Sequence, residues 1–358
     1  MGYSEFVRLE IVKQEENKEQ GGIVNSTVLY IVIPCFNEQD VIRNTNQKVL
    51  CKLCSMINNG IISEKSGILY VDDGSQDNTW NYIKEFVTEY EKQNMEASGR
   101  GNIKGIKFAR NEGHQNALMA GMKYIYKISD AVITIDADLQ QDIGVLDRFV
   151  EKYEKGSDIV FGIRNSRDTD KWGKKISASL FYKLMKGLGT KTIPNHADYR
   201  LLSRKAMENL FQYGETQLFL RGIIADMGFR TSEVYFDVKE REAGESKYTL
   251  GRMIHLAMNG ITSLSVKPLH LVFNLGAVAV IISLFMIIYN VLMWGKGITV
   301  QGWTSILCSL WLIGGVILVS LGVIGEYIGK LYLEEKKRPL YFIAEEVGGK
   351  NEQSGQTE

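Results

Sequence analysis

Ile133-Thr-Ile-Asp136-Ala-Asp138-Leu-Gln140 is the stretch on which the reading of the chain turns. An apolar, β-prone run ends in two aspartates one residue apart, with a glutamine two further on. On an extended chain, residues i, i+2 and i+4 project to the same side. Asp136, Asp138 and Gln140 are therefore expected to aim oxygen atoms at one point beyond a strand's C-terminal end. That donor set suits a hard divalent cation, Mg2+ or Mn2+. Asp-x-Asp also occurs in turns and helix caps, so the spacing gains weight only from what surrounds it.

Working outward, residues 27–162 alternate strand and helix patterns. Val28–Pro34, Gly67–Val71, Ile103–Phe108, Ala131–Ile135 and Asp158–Phe161 read as strands. Asp40–Met56 and Gly113–Ile128 read as helices, and Asp77 can cap another. Strands followed by helices imply an α/β fold with a mostly parallel, Rossmann-like sheet covered on both faces. Ligands in such sheets bind beyond the carboxyl ends of the strands. Polar clusters fall at those ends: Pro34-Cys35-Phe36-Asn37-Glu38, Asp72-Asp73-Gly74-Ser75, Arg110-Asn111-Glu112-Gly113-His114, the Asp136/Asp138/Gln140 set, and Gly162-Ile163-Arg164. Such residues are also ordinary turn formers. There is no GxGxxG and no GxxxxGK[ST], so neither a dinucleotide fingerprint nor a P-loop accounts for them.

Forty-two basic and 42 acidic residues balance, which speaks against nucleic acid as a partner. Four cysteines among 358 residues make a poor disulfide framework. Cys51-Lys-Leu-Cys54 has the CxxC spacing but lies in a helical pattern, and reduced cytosolic thiols are expected. No signal peptide is read at the start. Residues 1–26 read as an N-terminal tail, and the chain from about Gly348 as disordered.

The composition changes at Pro268. Leu269–Trp294 and Trp303–Gly325 contain no Asp, Glu, Lys or Arg. Each is long enough to cross a bilayer, which takes about 20 apolar residues. The connector carries only Lys296, whereas Lys267 precedes the first span and Lys330, Lys336, Lys337 and Arg338 follow the second. The positive-inside rule then places both termini and the large N-terminal domain in the cytoplasm of a multi-pass membrane protein. Lys171–Leu188 and Leu250–Leu264 read as basic amphipathic helices, the second lying on the membrane surface. The expected domains are a catalytic unit over 27–240, a loop and juxtamembrane helix over 241–268, two spans (269–294, 303–326) within 269–333, and a cytoplasmic tail over 334–358.

The motifs Pro34…Asn37-Glu38, Asp72-Asp73-Gly74-Ser75, Arg110-Asn111-x-Gly113-His114 and Asp136-Ala-Asp138-Leu-Gln140 resemble glycosyltransferase family 2 with the GT-A fold. Asp198-Tyr-Arg200-Leu-Leu-Ser203-Arg204, Phe219-Leu-Arg221-Gly222 and Arg241-x-Ala-Gly244-Glu-Ser246-Lys247-Tyr248 narrow the likeness to the polyprenyl-phosphate glycosyltransferases. Dolichol-phosphate mannose synthase and bactoprenol glucosyltransferase are of that type. The resemblance implies inverting transfer of a sugar from a UDP-sugar, with glucose or N-acetylglucosamine leading, to undecaprenyl or a related polyprenyl phosphate, for cell-envelope glycosylation. It assigns Pro34, Asn37, Glu38, Asp72, Asp73, Arg110 and Asp136 to the nucleotide sugar, and Asp136, Asp138 and Gln140 to Mg2+ or Mn2+. Arg164, Arg200 and Lys247 go to phosphates, and Asp198 with Arg200 to catalysis. Two departures stand out: many relatives have Asp-Pro-Pro where this chain has Gln141-Asp142-Ile143, and Gly-Asp-Phe-Arg where it has Ala197-Asp198-Tyr199-Arg200.

A lipid phosphate is already anionic, so a strong general base is not obligatory. Asp198 is either a base or an orienting carboxylate that positions Arg200. His114 reads as a helix-start residue and His196 as a loop residue, neither with a catalytic role. Two other functions compete: a processive polysaccharide synthase, whose Gln-x-x-Arg-Trp motif is not matched by Gln217-Leu-Phe-Leu-Arg221-Gly222, and a non-catalytic membrane scaffold or flipping partner. A homo-oligomer, a flippase and a downstream glycosyltransferase are compatible partners.

Overall fold

The computed structural model describes residues 27–96, 102–165, 196–215, 219–237 and 302–349, with scattered positions between 269 and 296. Its centre is an eight-stranded sheet. Strand β1 (Leu29–Cys35) leads to helix α1 (Ile42–Asn58), β2 (Gly67–Asp72) to α2 (Thr79–Glu96), and β3 (Asn102–Phe108) to α3 (His114–Ile125). Strand β4 (Ala131–Thr134) passes through a 3-10 turn into α4 (Leu146–Glu154). There follow β5 (Ile159–Arg164), β6 (His196–Ser203), α5 (Arg204–Leu210), α6 (Leu220–Asp226), β7 (Thr231–Phe236), α7 (Trp303–Glu335) and β8 (Ile343–Val347).

The strand order is β7-β5-β6-β4-β1-β2-β3-β8. Period-2 alternation divides β1 between two cores. Leu29, Ile31, Ile33 and Cys35 pack with residues of α1, α2 and α4, while Tyr30 and Val32 pack with residues of α3, α5 and α6. Both faces are thus covered, which is why these strands read as nearly continuous apolar runs. Helix α3 comes unusually close to the sheet through Gly121, where a Cβ would lie 2.5 Å from Val32 Cγ1.

The parallel core expected from the sequence is present in β4-β1-β2-β3. The rest of the sheet is mixed. Strand β6 runs antiparallel between β4 and β5, so those two never pair. Residues 196–203 carry the Asp198–Arg204 motif but lack a turn-bounded apolar run that would have marked them as a strand. His196 accordingly opens a strand and not a loop.

Residues 343–347, read as tail, form β8, antiparallel to β3 at the sheet's edge. Trp80 Nε1 donates to Glu345 Oε2 at 2.8 Å, and Tyr124 Oη to Glu346 Oε2 at 3.0 Å. Tyr341 stacks on Phe108 with ring centroids 4.9 Å apart. Charged residues on this outer strand also blunt an open edge.

Helix α7 has 33 residues, about 50 Å at 1.5 Å per residue. Its stretch Ile313–Glu335 has a mean hydropathy of 1.6, and none of its most apolar window is buried. Among the described residues it is the one helix long and apolar enough to cross a membrane. Of the first expected span, positions such as 272–274 and 276–278 are helical, and Phe273 and Phe285 are exposed. Lys171–Leu188, Leu250–Leu264, Lys247 and residues 1–26 lie outside the described residues.

Removing residues 341–358 strips β3 of its outer, antiparallel ladder and of the Tyr341 stack, and leaves its pairing with β2. The expected loss is about 2 kcal/mol, seen as a fall of roughly 4–8 °C in the thermal unfolding midpoint. An unchanged midpoint would show that β8 adds nothing to the domain.

Candidate active site

Two groups of side chains meet at the carboxyl ends of the central strands. The first joins the loops after β1, β2 and β3. Asp73 N donates to Cys35 O at 2.8 Å, Asn37 N to Ser75 Oγ at 2.9 Å, and Glu38 N to Thr79 Oγ1 at 2.9 Å. Asn37 has φ 54, a left-handed conformation that asparagine tolerates, and its Oδ1 accepts from Gln76 N at 2.9 Å. Gly74 combines φ +69 with a tight approach: a Cβ there would lie 2.5 Å from the Arg110 carbonyl carbon. A side chain would separate the β2 and β3 loops.

The two neighbouring aspartates differ. Asp73 Oδ1 accepts from Glu112 N at 2.7 Å and Oδ2 from Gly113 N at 2.9 Å, which ties down the entry to α3. Asp72 is fully buried. Its Oδ2 accepts from Ser75 N at 3.2 Å and lies 3.8 Å from Lys107 Nζ, while Oδ1 has no hydrogen-bond partner among the described residues. Burial pushes both carboxyls above their ordinary range. Asp72 therefore carries a buried acceptor that no described donor meets. Pro34 closes the end of β1, whereas Arg110 is exposed and pairs with Glu112 at 2.6 Å.

The second group surrounds Asp198. Asp198 and Arg200, two apart on β6, project to the same face. Arg200 is 1% exposed, and its guanidinium pairs with Asp198 Oδ1. Arg221, on α6, reaches both oxygens of the same carboxylate, from Nε at 3.2 Å and from its terminal nitrogen at 2.8 Å. His114, at the start of α3, places Nε2 3.6 Å from Asp198 Oδ2 and 3.7 Å from Asp136 Oδ1. Burial alone would raise the Asp198 pKa, but Arg221, Arg200 and His114 hold it well below the usual carboxylate range. Dense surroundings would lower His114, although 42% of its side chain is accessible; the two carboxylates reverse this and raise it. Asp136 is pushed up by desolvation and by the charges of Asp198 and Asp138.

Asp136, Asp138 and Gln140 do not lie along a strand, as the sequence spacing implied. Strand β4 ends at Thr134, and Leu139 adopts φ 48 with its N–H returning to Asp136 O at 3.3 Å. Gln140 N donates to Asp138 Oδ1 at 3.2 Å. Short polar side chains compete with the ladder for backbone partners and fold the segment into a turn. Among the described residues no three His, Cys, Asp or Glu side chains form a metal cluster. An oxygen-only donor set crowded with negative charge still fits a hard cation whose remaining ligands come from amide, phosphate or water. Arg164 lies at the end of β5, and its Nε is buried with no hydrogen-bond partner among the described residues.

His114, Arg221 and Gln141 are the residues that sequence reasoning left without a role. His114 carried one usable signal: it follows a polar strand end in a chain with only 4 histidines. Arg221 lies 23 positions from Asp198, and nothing local links them.

The family described as Glycosyl transferase family 2 matches residues 30–211, and the GtrB C-terminal hairpin matches residues 267–331. The uncharacterized glycosyltransferase YkoT of Bacillus subtilis is 45% identical over 316 residues, covering 88% of this chain and 91% of its own. The bactoprenol glucosyl transferase of Shigella phage SfX is 36% identical over 318 residues, with 87% and 97% covered. The prophage bactoprenol glucosyl transferase homolog of Escherichia coli K12 is 35% identical over 318 residues, again with 87% and 97% covered. The chain belongs to glycosyltransferase family 2. It is thus a transferase with a GT-A-like sheet, and the hairpin with the unburied α7 associates it with a membrane.

Asp198→Asn leaves the Arg200 charge buried without its counter-ion. Loss of one partner of a buried pair costs about 3–5 kcal/mol, measurable as a lower denaturation midpoint. Arg221→Ala, in a more exposed partner, is expected to cost less.

Proposed function

We propose that the chain transfers a glycosyl group, glucose first among candidates, from a UDP-sugar to the phosphate of a polyprenyl lipid. One observation carries the reading above all: an acidic, arginine-lined site at a sheet edge whose outermost strand, β8, follows directly from the apolar helix α7. The bactoprenol glucosyl transferases among its relatives support both the acceptor and the sugar.

In this reading the nucleotide lies over the ends of β1 and β2, with Asp72 and Asp73 near its base and ribose and Pro34, Asn37 and Glu38 lining the pocket. Asp136, Asp138 and Gln140 would hold Mg2+ or Mn2+, which when bound neutralises charge on the departing diphosphate. Arg164 and Lys247 meet phosphate oxygens, and Arg200, buried beside Asp198, adds its positive charge from behind them; Arg can bind phosphate through two N–H groups at once. Asp198 does not accept the proton. Two guanidiniums keep it ionised, and it in turn aims Arg200 and Arg221. The acceptor phosphate is already a nucleophile, so the protein's task is to align it behind the anomeric carbon, and the anomeric centre inverts in one displacement.

The membrane part places the enzyme where its acceptor lies. A polyprenyl tail leaves the bilayer at a cost of roughly 0.8 kcal/mol per CH2. The pairing of β8 with β3 supports a topology in which α7 ends on the same side as the catalytic domain. Lys330, Lys336, Lys337 and Arg338 at that end favour the cytoplasmic side.

The test is a panel of radiolabelled UDP-sugars with undecaprenyl phosphate and Mn2+ or Mg2+. UDP-glucose is expected to give an organic-extractable lipid-linked monosaccharide, and Asp138→Asn to lower the rate at least about 100-fold while the protein still inserts and folds. No transfer from any UDP-sugar, or wild-type rates in that variant, would sink the reading.

A further inference from the structure

Gln141 follows the acidic turn and is 2% exposed. Its side chain grips Asp136 at two points. Asp136 N donates to Gln141 Oε1 at 3.0 Å, and Gln141 Nε2 donates to Asp136 Oδ2. These partners dictate the amide's orientation, because a backbone N–H needs an oxygen acceptor and a carboxylate oxygen needs a donor. Glutamate would satisfy the first contact and oppose the second. An apolar side chain of similar length would fill the space and leave the Asp136 N–H without this acceptor.

The turn makes the grip possible. Leu139, at φ 48, reverses the chain so that residue 141 comes back beneath residue 136. With Oδ2 held, the Asp136 carboxylate has one defined orientation. Its other oxygen, Oδ1, faces the centre of the site, 3.7 Å from His114 Nε2. Asp138 and Asp198 repel this carboxylate. Without the amide, the 3.7 Å approach of His114 to Oδ1 is the described contact left to oppose its rotation away from them.

We propose that Gln141 is a positioning residue that locks the Asp136 carboxylate with Oδ1 turned toward the bound cation and diphosphate. This rests on the glycosyl-transfer reading and on Asp136 as a cation ligand. Groups behind a ligand typically change metal affinity about 10–100-fold when altered, by fixing the ligand's orientation.

The experiment uses the full chain in lipid nanodiscs with UDP, titrated with Mn2+ and followed by the paramagnetic resonance of the free ion. Q141E and Q141M are each expected to weaken Mn2+ binding by about 10–100-fold, at an unfolding midpoint within a few degrees of wild type. A role in packing alone would move the midpoint and leave the affinity of folded protein unchanged. Wild-type Mn2+ affinity in either folded variant, while D138N loses it, overturns the clamp and leaves the metal assignment standing. A wild-type protein that takes up no Mn2+ overturns both.

Discussion

A guanidinium inside the sheet governs the candidate site. Arg200 sits on β6 between β4 and β5, opposite Thr134 on one side and Phe161 on the other, and is almost wholly removed from water. A charge in that position is tolerable only beside an opposite charge that is itself hydrogen-bonded. Asp198 supplies it, and the pair draws in Arg221 from α6 and His114 from α3. Three elements, β6, α6 and α3, thereby converge on one carboxylate. The strong depression of its pKa is the electrostatic trace of that convergence.

The same constraint separates roles among the acids. Asp198 is paired with the guanidiniums of Arg200 and Arg221. Asp136 is crowded by other carboxylates and braced by Gln141, so it has use for positive charge. Asp73 is fully engaged by the backbone of the β3–α3 loop, while Asp72, its neighbour, keeps an open oxygen. Two adjacent aspartates of identical chemistry thus differ because one meets two N–H groups and the other meets one.

Strand β8 extends this logic to the membrane. It pairs with β3, whose following residues make the loop that Asp73 secures, and Ala109 N donates to Phe342 O at 2.9 Å. The polypeptide leaving α7 therefore pairs with the strand that precedes this loop. The sheet is thus completed by residues 343–347, which lie beyond the apolar helix in the chain.

How much was legible follows from how local each signal is. Period-2 and period-3.6 patterns marked β1 to β5, α1 and α3 within a few residues, because burial on both faces writes itself into consecutive positions. The charge-free runs after Pro268 announced a membrane segment for the same reason. The acidic loops were likewise readable, whereas Asp198 and Arg200 stood out only through the family resemblance and not as neighbours on one face of a strand. The antiparallel entry of β6, the capture of β8, the turn at Leu139, and the partners of Asp198 and Asp136 were decided only by tertiary structure. Each depends on groups brought together across the fold or on a backbone reversal, and a linear pattern carries no information about which distant residue will satisfy a buried charge.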